Sequence, residues 1–332
     1  MIDLSSLAFV GSGLVRPECV LTHESGLLFA ADWAGDGGVA VVAQDGSVRR
    51  IEARGAPRPM RPNGIALEPG GTFLLADLGA EEGGVFRLRA DGGVEPVVTE
   101  LDGRPFPPTN YVHRDGTGGL WITVSTRKVP RNLGYRPDAD DGFIVLADES
   151  GVRIVADGLG YTNECLVSPD GRHLYVNETF TRKLSRFALR EGGLGPKEVV
   201  AAFGDGTYPD GLTFDAQGGV WITSIVSNRV IRVAPDGAQE IVLEDADPDH
   251  VAWTEAAYRA GELGRPHLDK IASRRLKNIS SLAFGGPGLR KAYLGCLLGD
   301  SIAVFDAPVP GAPPVHWSFP LGDLAARTGA RA

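Results

Sequence analysis

Short apolar runs bounded by glycine-rich polar turns recur along the whole chain. They are Leu27-Leu28-Phe29-Ala30, Phe73-Leu74-Leu75-Ala76, Leu120-Trp121-Ile122-Thr123, Leu174-Tyr175-Val176-Asn177 and Val220-Trp221-Ile222-Thr223, with Ala292-Tyr293-Leu294-Gly295-Cys296 after a longer gap. The first five recur roughly every 45 to 55 residues, the interval expected for propeller blades. Between them lie Asp45-Gly46, Asp91-Gly92, Ser150-Gly151, Asp170-Gly171 and Asp236-Gly237. Asp-Gly steps flanked by alternating apolar residues favour β-hairpins. Gly84-Val85-Phe86-Arg87-Leu88 and Arg229-Val230-Ile231-Arg232-Val233 alternate as strands do.

One stretch breaks this pattern. From about Asp247 to Leu276 the chain turns rich in Ala and Glu, and Trp253, Ala256, Ala257 and Ala260 are spaced as on a short helix. This reads as an insertion between the fifth and sixth repeats, and residues 247–276 could cap a channel mouth. There is no linker and no break in composition, so the pattern predicts one all-β domain over residues 1–332, a β-propeller. Such a ring leaves only short, protected strand edges.

Within that frame, each repeat places an oxygen-bearing side chain about ten residues ahead of its apolar strand. The series is Glu18, Asn63, Asn110, Asn163 and Asp210. Equivalent positions in a ring of repeats converge on its axis. Singly, Asn63-Gly64 and Asp210-Gly211 are ordinary turn dipeptides, and Asn110 and Asn163 could cap backbone groups. Together, a ladder restricted to Asn, Asp and Glu points to a site for a hard cation. Two carboxylates match a divalent charge, and all-oxygen donors suit Ca²⁺, Mg²⁺ or Mn²⁺ rather than Zn²⁺. Ca²⁺ best accepts scattered ligands of irregular geometry.

Composition narrows the function classes. A formal charge of −9 argues against a nucleic-acid partner and against an anionic membrane surface. No apolar run has the length of a membrane span. Met1-Ile2-Asp3 has an acid where a signal peptide carries basic residues, so a cytoplasmic protein is expected. Cys19, Cys165 and Cys296 show no CxxC spacing, so neither a disulfide framework nor a zinc knuckle is indicated. Cys19 and Cys165, beside two rungs of the ladder, are expected to pack behind the site.

Several segments together resemble the regucalcin and gluconolactonase family, which includes senescence marker protein and luciferin-regenerating-enzyme-like proteins. They are Arg61-Pro62-Asn63-Gly64-Ile65-Ala66, Tyr161-Thr162-Asn163-Glu164-Cys165, Ser168-Pro169-Asp170-Gly171 and Tyr208-Pro209-Asp210-Gly211-Leu212, in order and over nearly the whole chain. The resemblance implies a six-bladed propeller with the insertion between blades five and six. It also implies one divalent metal, commonly calcium, in a central cleft, and lactone hydrolysis as the activity. The family's metal-binding positions match Glu18, Asn163 and Asp210, and its site-lining Asn matches Asn110.

The sequence departs from the sugar-lactonase pattern at Pro107-Pro108-Thr109-Asn110-Tyr111. Sugar lactonases resemble Arg-x-Asn-Asp there, and here Pro108 and Tyr111 replace the charged pair. A less hydroxylated lactone is therefore expected. Metal ligands are expected at Glu18, Asn110, Asn163 and Asp210. Asp210 would assist water activation, and Asn63, Asn110, Tyr111 and His250 would bind a small-molecule substrate. Glu178 reads as a solvated strand end, and the other histidines show no partner pattern. A phosphotriester or ester hydrolase, isomerase or lyase on the same site remains open, as does a non-catalytic binding propeller. The last would not need a polar ring on its axis, and the WD signature is absent. Oligomeric state is not legible.

Overall fold

The computed structural model describes residues 1–328. Six four-stranded antiparallel sheets form the blades of a propeller. Blades one to five are contiguous in sequence and occupy 20–52, 62–98, 111–159, 162–202 and 207–244. Blade six is built from Ile279–Gly285, Lys291–Cys296 and Ile302–Asp306, and its outer strand is Ala8–Val10 from the start of the chain. Ala8–Val10 pairs antiparallel with Ile302–Val304, so hydrogen bonds between the two ends of the sequence close the ring. Each innermost strand contacts the innermost strand of the next blade, from Val20–Thr22 round to Ile279–Gly285 and back.

The apolar runs of the sequence are the second strands: Leu28–Asp32, Thr72–Asp77, Leu120–Val124, His173–Glu178, Val220–Val226 and Lys291–Cys296. They read as continuous apolar segments because both of their faces are covered by neighbouring blades. Phe29 meets Phe73 between blades one and two, with ring centroids 5.1 Å apart, and Trp221 meets Phe284 at the same distance between blades five and six. All four rings are at most 2% exposed. Burying each contributes about 2–3 kcal/mol. The polar ends of the tryptophans are satisfied in a repeated way: Trp121 Nε1 donates to Asp115 Oδ2 at 2.8 Å, and Trp221 Nε1 to Asp215 Oδ2 at 2.9 Å.

The hairpin signals hold at the backbone level. Gly46, Gly92, Gly151, Gly171 and Gly237 all take positive φ. The aspartate before four of them accepts a bond from the amide two residues on, as Asp45 Oδ1 does from Ser47 N at 2.9 Å.

The insertion folds as α1, Pro248–Ala260, and a short α2, Arg265–Leu268. Asp247 caps α1 by accepting from His250 N, and Gly261 ends it at φ 72°. Of the Trp253 and alanine stripe only Ala257 faces the propeller. Trp253 is 43% exposed, whereas His250, Thr254, Ala257 and Tyr258, at i, i+4, i+7 and i+8, are buried. Two polar anchors decide the docking. Glu255 is ion-paired with buried Arg182 and accepts from Gly206 N at 2.8 Å and Tyr208 Oη at 2.9 Å. Tyr258 Oη donates to Phe180 O. No helix among the described residues is long and apolar enough to cross a membrane.

Candidate active site

The innermost strands run along the channel, so a step along one of them moves from one mouth of the ring to the other. Glu18 and Asn110, just ahead of two of these strands, and Asn63, Asn163 and Asp210, in the first half of three others, line a single cavity of about 310 Å³ at the mouth nearer the insertion. Residues farther along the same strands, including Leu21, Leu67, His113, Val167 and Phe214, line a second cavity of about 360 Å³ at the other mouth. The structure thus brings all five rungs of the sequence ladder together.

Backbone irregularity places several of them. The ladder between the first and second strands slips between Pro62 and Ile65, between Thr162 and Cys165, and between Pro209 and Leu212. Asn63, Asn163 and Asp210 sit inside these bulges, which re-aim a side chain out of the pleat. Asn63-Gly64 and Asp210-Gly211 are therefore not turns. Both glycines lie in strands where a neighbouring strand leaves no room for a side chain. A Cβ on Gly64 would meet Tyr111 Cα at 2.8 Å, and one on Gly211 would meet Ser280 O at 2.5 Å. Two rungs are also preceded by strained backbone: Arg16 and Tyr161, each two residues ahead of a rung, take φ of 54° and 68°.

Hydrogen bonds then fix the Asn63 and Asn163 side chains and the backbone that carries Asp210. Asn163 Nδ2 donates to Thr179 Oγ1 at 3.0 Å, and Thr179 Oγ1 donates to Pro209 O at 2.8 Å. The Asn163 carboxamide oxygen is left buried with no partner. Asn110 Oδ1 is likewise buried and unpartnered. Asn63 Nδ2 donates to Asn110 O at 3.1 Å, joining two adjacent rungs. Asn177 Nδ2 holds the Asp210 and Gly211 carbonyls at 2.9 and 3.1 Å. Glu18 Oε2, also buried, lies 2.8 Å from Arg16 Nη2 without the alignment of a hydrogen bond.

The site is electrostatically tense. Burial pushes the Asp210 carboxyl well above the usual range and the Glu18 charge adds to this, while Arg16, Asn163 and Arg131 pull the other way. Glu164, behind the rungs, is raised by burial, with the Asp210 and Glu18 charges adding, although Leu212 N donates to it at 3.1 Å. Two carboxylates held close in a low-dielectric site repel unless a proton or a cation joins them. Orphaned carboxylate and carboxamide oxygens around one cavity are a donor set that fits a hard divalent cation. Among the described residues no group of three His, Cys, Asp or Glu gathers as a metal cluster, because half of the expected donors are carboxamides.

Two expected substrate residues lie elsewhere. Tyr111 lines the second cavity, because it stands one step farther along its strand than Asn110. Pro108 lines neither cavity. His250 is buried in the first turn of α1, its Nε2 2.8 Å from His267 O, and it does not reach the site. Glu178 is not solvated. It is 1% exposed and accepts from Gly160 N at 2.7 Å and from Ser185 Oγ. Cys19 and Cys165 are buried free thiols, as expected. The two blade-six residues nearest the ladder serve structure: Ser280 Oγ donates to Glu18 O at 2.8 Å, and Asn278 Nδ2 donates to Leu268 O at 2.7 Å, tying α2 down.

The cavity wall holds residues that the repeat pattern does not reveal. Trp33, Tyr135, Tyr161 and Phe180 supply aromatic surface, and Arg16, Arg131 and Arg265 supply cations. Tyr135, Tyr161 and Phe180 pack on one another with centroids 4.7 to 5.4 Å apart. Most of these come from loops, where no period marks them.

Residues 16–260 match the family described as SMP-30/gluconolactonase/LRE-like region. A 6-deoxy-6-sulfogluconolactonase of Pseudomonas putida is 29% identical over 218 residues, which cover 63% of this chain and 69% of that protein. The Arabidopsis thaliana protein strictosidine synthase-like 7 is 28% identical over 232 residues, 66% of this chain and 59% of its own length. Among solved structures, a gluconolactonase from Xanthomonas campestris superposes with a TM-score of 0.66 at 20% identity, covering 92% of this chain and 89% of that one. A calcium-binding regucalcin from Agrobacterium tumefaciens gives 0.61 at 17% identity, covering 94% and 97%. These structural likenesses concern the fold.

Proposed function

The chain belongs to the SMP-30/gluconolactonase/LRE-like family, and from that premise we propose that it is a divalent-cation-dependent hydrolase of lactones. The observation that carries this reading is the convergence of Glu18, Asn110, Asn163 and Asp210 on one cavity, with the Asn110 and Asn163 carboxamide oxygens buried and unpartnered and a buried Glu18 oxygen without a hydrogen bond. Those four residues would hold the cation, and Ca²⁺ suits them best, with Mg²⁺ and Mn²⁺ as alternatives. The naming of relatives as lactonases supports the reaction class.

A cation bound here would polarise the lactone carbonyl and acidify a water. Everything else falls to the chain. Asp210 accepts the proton of the attacking water through its carboxylate and gives it to the ring oxygen as the ester C–O bond breaks. The Asn177 bonds to the Asp210 and Gly211 carbonyls hold the backbone from which that carboxylate projects. Asn163 keeps its oxygen toward the cavity through its bond to Thr179. Asn63, its amide fixed on Asn110 O, offers its oxygen to the substrate. Trp33, Tyr135, Tyr161 and Phe180 exclude water and pack against the substrate's body. Such walls favour a lactone with few hydroxyls, now on the strength of the aromatics rather than of Pro108 and Tyr111. The partner is a small molecule, and a cytoplasmic location is part of the proposal.

The test is acid release from a panel of sugar and aliphatic lactones, followed by pH-stat titration with the protein as purified. Turnover of the less hydroxylated lactones by wild type, and not by Glu18→Gln, supports the reading. Absence of turnover across the panel overturns it.

A further inference from the structure

Resting on the lactonase reading above, we propose that the preferred substrate carries a second, anionic group, a carboxylate or a like oxyanion, and that Arg131 recognises it. Arg131 enters the cavity on the short 3₁₀ turn Arg131–Gly134, in the loop that follows the second strand of blade three. Its Nε donates to Tyr161 Oη at 2.9 Å and its Nη2 to Ser125 Oγ at 3.2 Å. The guanidinium lies 5.6 Å from the centre of the Tyr161 ring. Among the described residues no carboxylate stands within ion-pairing distance of it, and Nη1 has no hydrogen-bond partner.

That is unusual company for a cation in a protein wall. Arg182, similarly enclosed by aromatic rings, is ion-paired with Glu255, and Arg232 is paired with buried Asp215. Half-burying a guanidinium with only hydroxyls as partners is unfavourable. Two hydroxyls orient the guanidinium without neutralising it, which is the arrangement of a preformed anion receptor.

Counting charges in the cavity gives the same result. Glu18 and Asp210 supply two negative charges, and one divalent cation would balance them. Arg265, at the rim, is paired with Asp269. Arg16, 2.8 Å from Glu18 Oε2, and Arg131, with no carboxylate at ion-pairing distance, then leave the cavity net positive, and an anionic substrate would offset that charge. Tyr161 lies beside Arg131, and Tyr135 and Phe180 pack on Tyr161, so the anion would sit at the end of an apolar body. A cavity of about 310 Å³ accommodates a small lactone ring with one short arm.

A matched pair of substrates tests this: γ-butyrolactone carrying a carboxymethyl arm against the same ring carrying an ethyl arm. The carboxymethyl lactone is expected to show the higher kcat/KM by roughly ten- to hundredfold, as a charge-assisted contact provides. The ratio should collapse toward one in Arg131→Gln, be partly kept in Arg131→Lys, and be unchanged in Arg136→Gln, an exposed arginine paired with Asp138. Equal kcat/KM for the two lactones in wild type overturns the inference. So does an equal loss on both lactones in Arg131→Gln, which would assign Arg131 to ring opening itself. If neither lactone is opened, the lactonase reading fails, and calorimetry with cyclopentylacetate and cyclopentylacetamide decides the anion site separately. Binding of the acid alone, lost in Arg131→Gln, supports the site, and equal heats from both probes overturn it.

Discussion

Arg16 Nη2 lies 2.8 Å from Glu18 Oε2, and the same guanidinium sits 4.6 Å from the centre of the Trp33 ring. A cation thus already stands beside a proposed metal ligand, held from behind by an aromatic face. Like charges a few ångströms apart repel by a few kcal/mol at most in such a site. Arg16→Met should therefore tighten Ca²⁺ binding by about tenfold, equivalent to about 1.4 kcal/mol. Titration calorimetry on chelator-treated protein reads this directly. Weaker binding in the variant would mean that Arg16 serves to aim Glu18.

Ca²⁺ should also stabilise the fold through the same donors. At a hundredfold excess over Kd, a ligand that binds only the folded state adds about 2.7 kcal/mol, which for a domain of this size is roughly 5 °C in Tm. Glu18→Gln and Asn163→Ala should melt cooperatively and lose most of that increment. A full Ca²⁺-dependent shift in either variant would remove that residue from the donor set.

The sequence made the ring and the ladder legible because both are periodic. Phe29, Phe73 and Trp221 mark second strands by unbroken apolar runs, and Glu18 to Asp210 recur in register with them. What escaped has physical reasons. Tyr111 neighbours Asn110 in sequence, yet the strand runs along the channel and carries it to the other mouth. Gly64 and Gly211 imitate turn glycines, although close strand approach is what demands them. Glu178 looks like an exposed strand end, but Ser185 and the Gly160 amide enclose it. Arg16, Arg131 and Arg265 belong to loops and to the inserted helices, where no repeat equivalent exists. His250 reads as a substrate group in the sequence, but the helix capped by Asp247 buries its ring against His267 O.

The insertion should depend on one carboxylate. Glu255 joins Arg182, Tyr208 and the Gly206 amide beneath α1. Removing one partner of a buried pair costs about 3–5 kcal/mol, and here Arg182 would keep only the longer, exposed contact to Asp205 at 3.4 Å. Glu255→Ala should lose roughly that much in urea denaturation and should speed amide exchange across 248–268. Since α2 contributes Arg265 and Leu268 to the cavity wall, KM should rise in the same variant. A stability change below about 0.5 kcal/mol, the range of neutral surface substitutions, would count against this anchor.

The second cavity should be visible in the acid limb of the stability curve. Burial brings His113 down to about 4 from the usual 6.5, against a small opposing effect of Asp115. His316 falls to about 3, through burial first and then the nearby His113 and His23. Between pH 6.5 and about 4 the unfolded chain binds protons that the folded chain refuses. Stability therefore falls as pH drops through that window and is fully present above it. His113→Phe should show a shallower fall than wild type between pH 7 and 4 in urea midpoints. Parallel curves for the two proteins would contradict the neutral, buried state of this ring.

Whether the rung carboxylates form a cation site is decided by Ca²⁺ titration into chelator-stripped wild type and Asp210→Asn, side by side in a calorimeter. One site per chain is expected in wild type, with affinity at least about a hundredfold weaker in Asp210→Asn, as when a charged ligand is removed. Equal binding by the two proteins, or none by wild type, would contradict it.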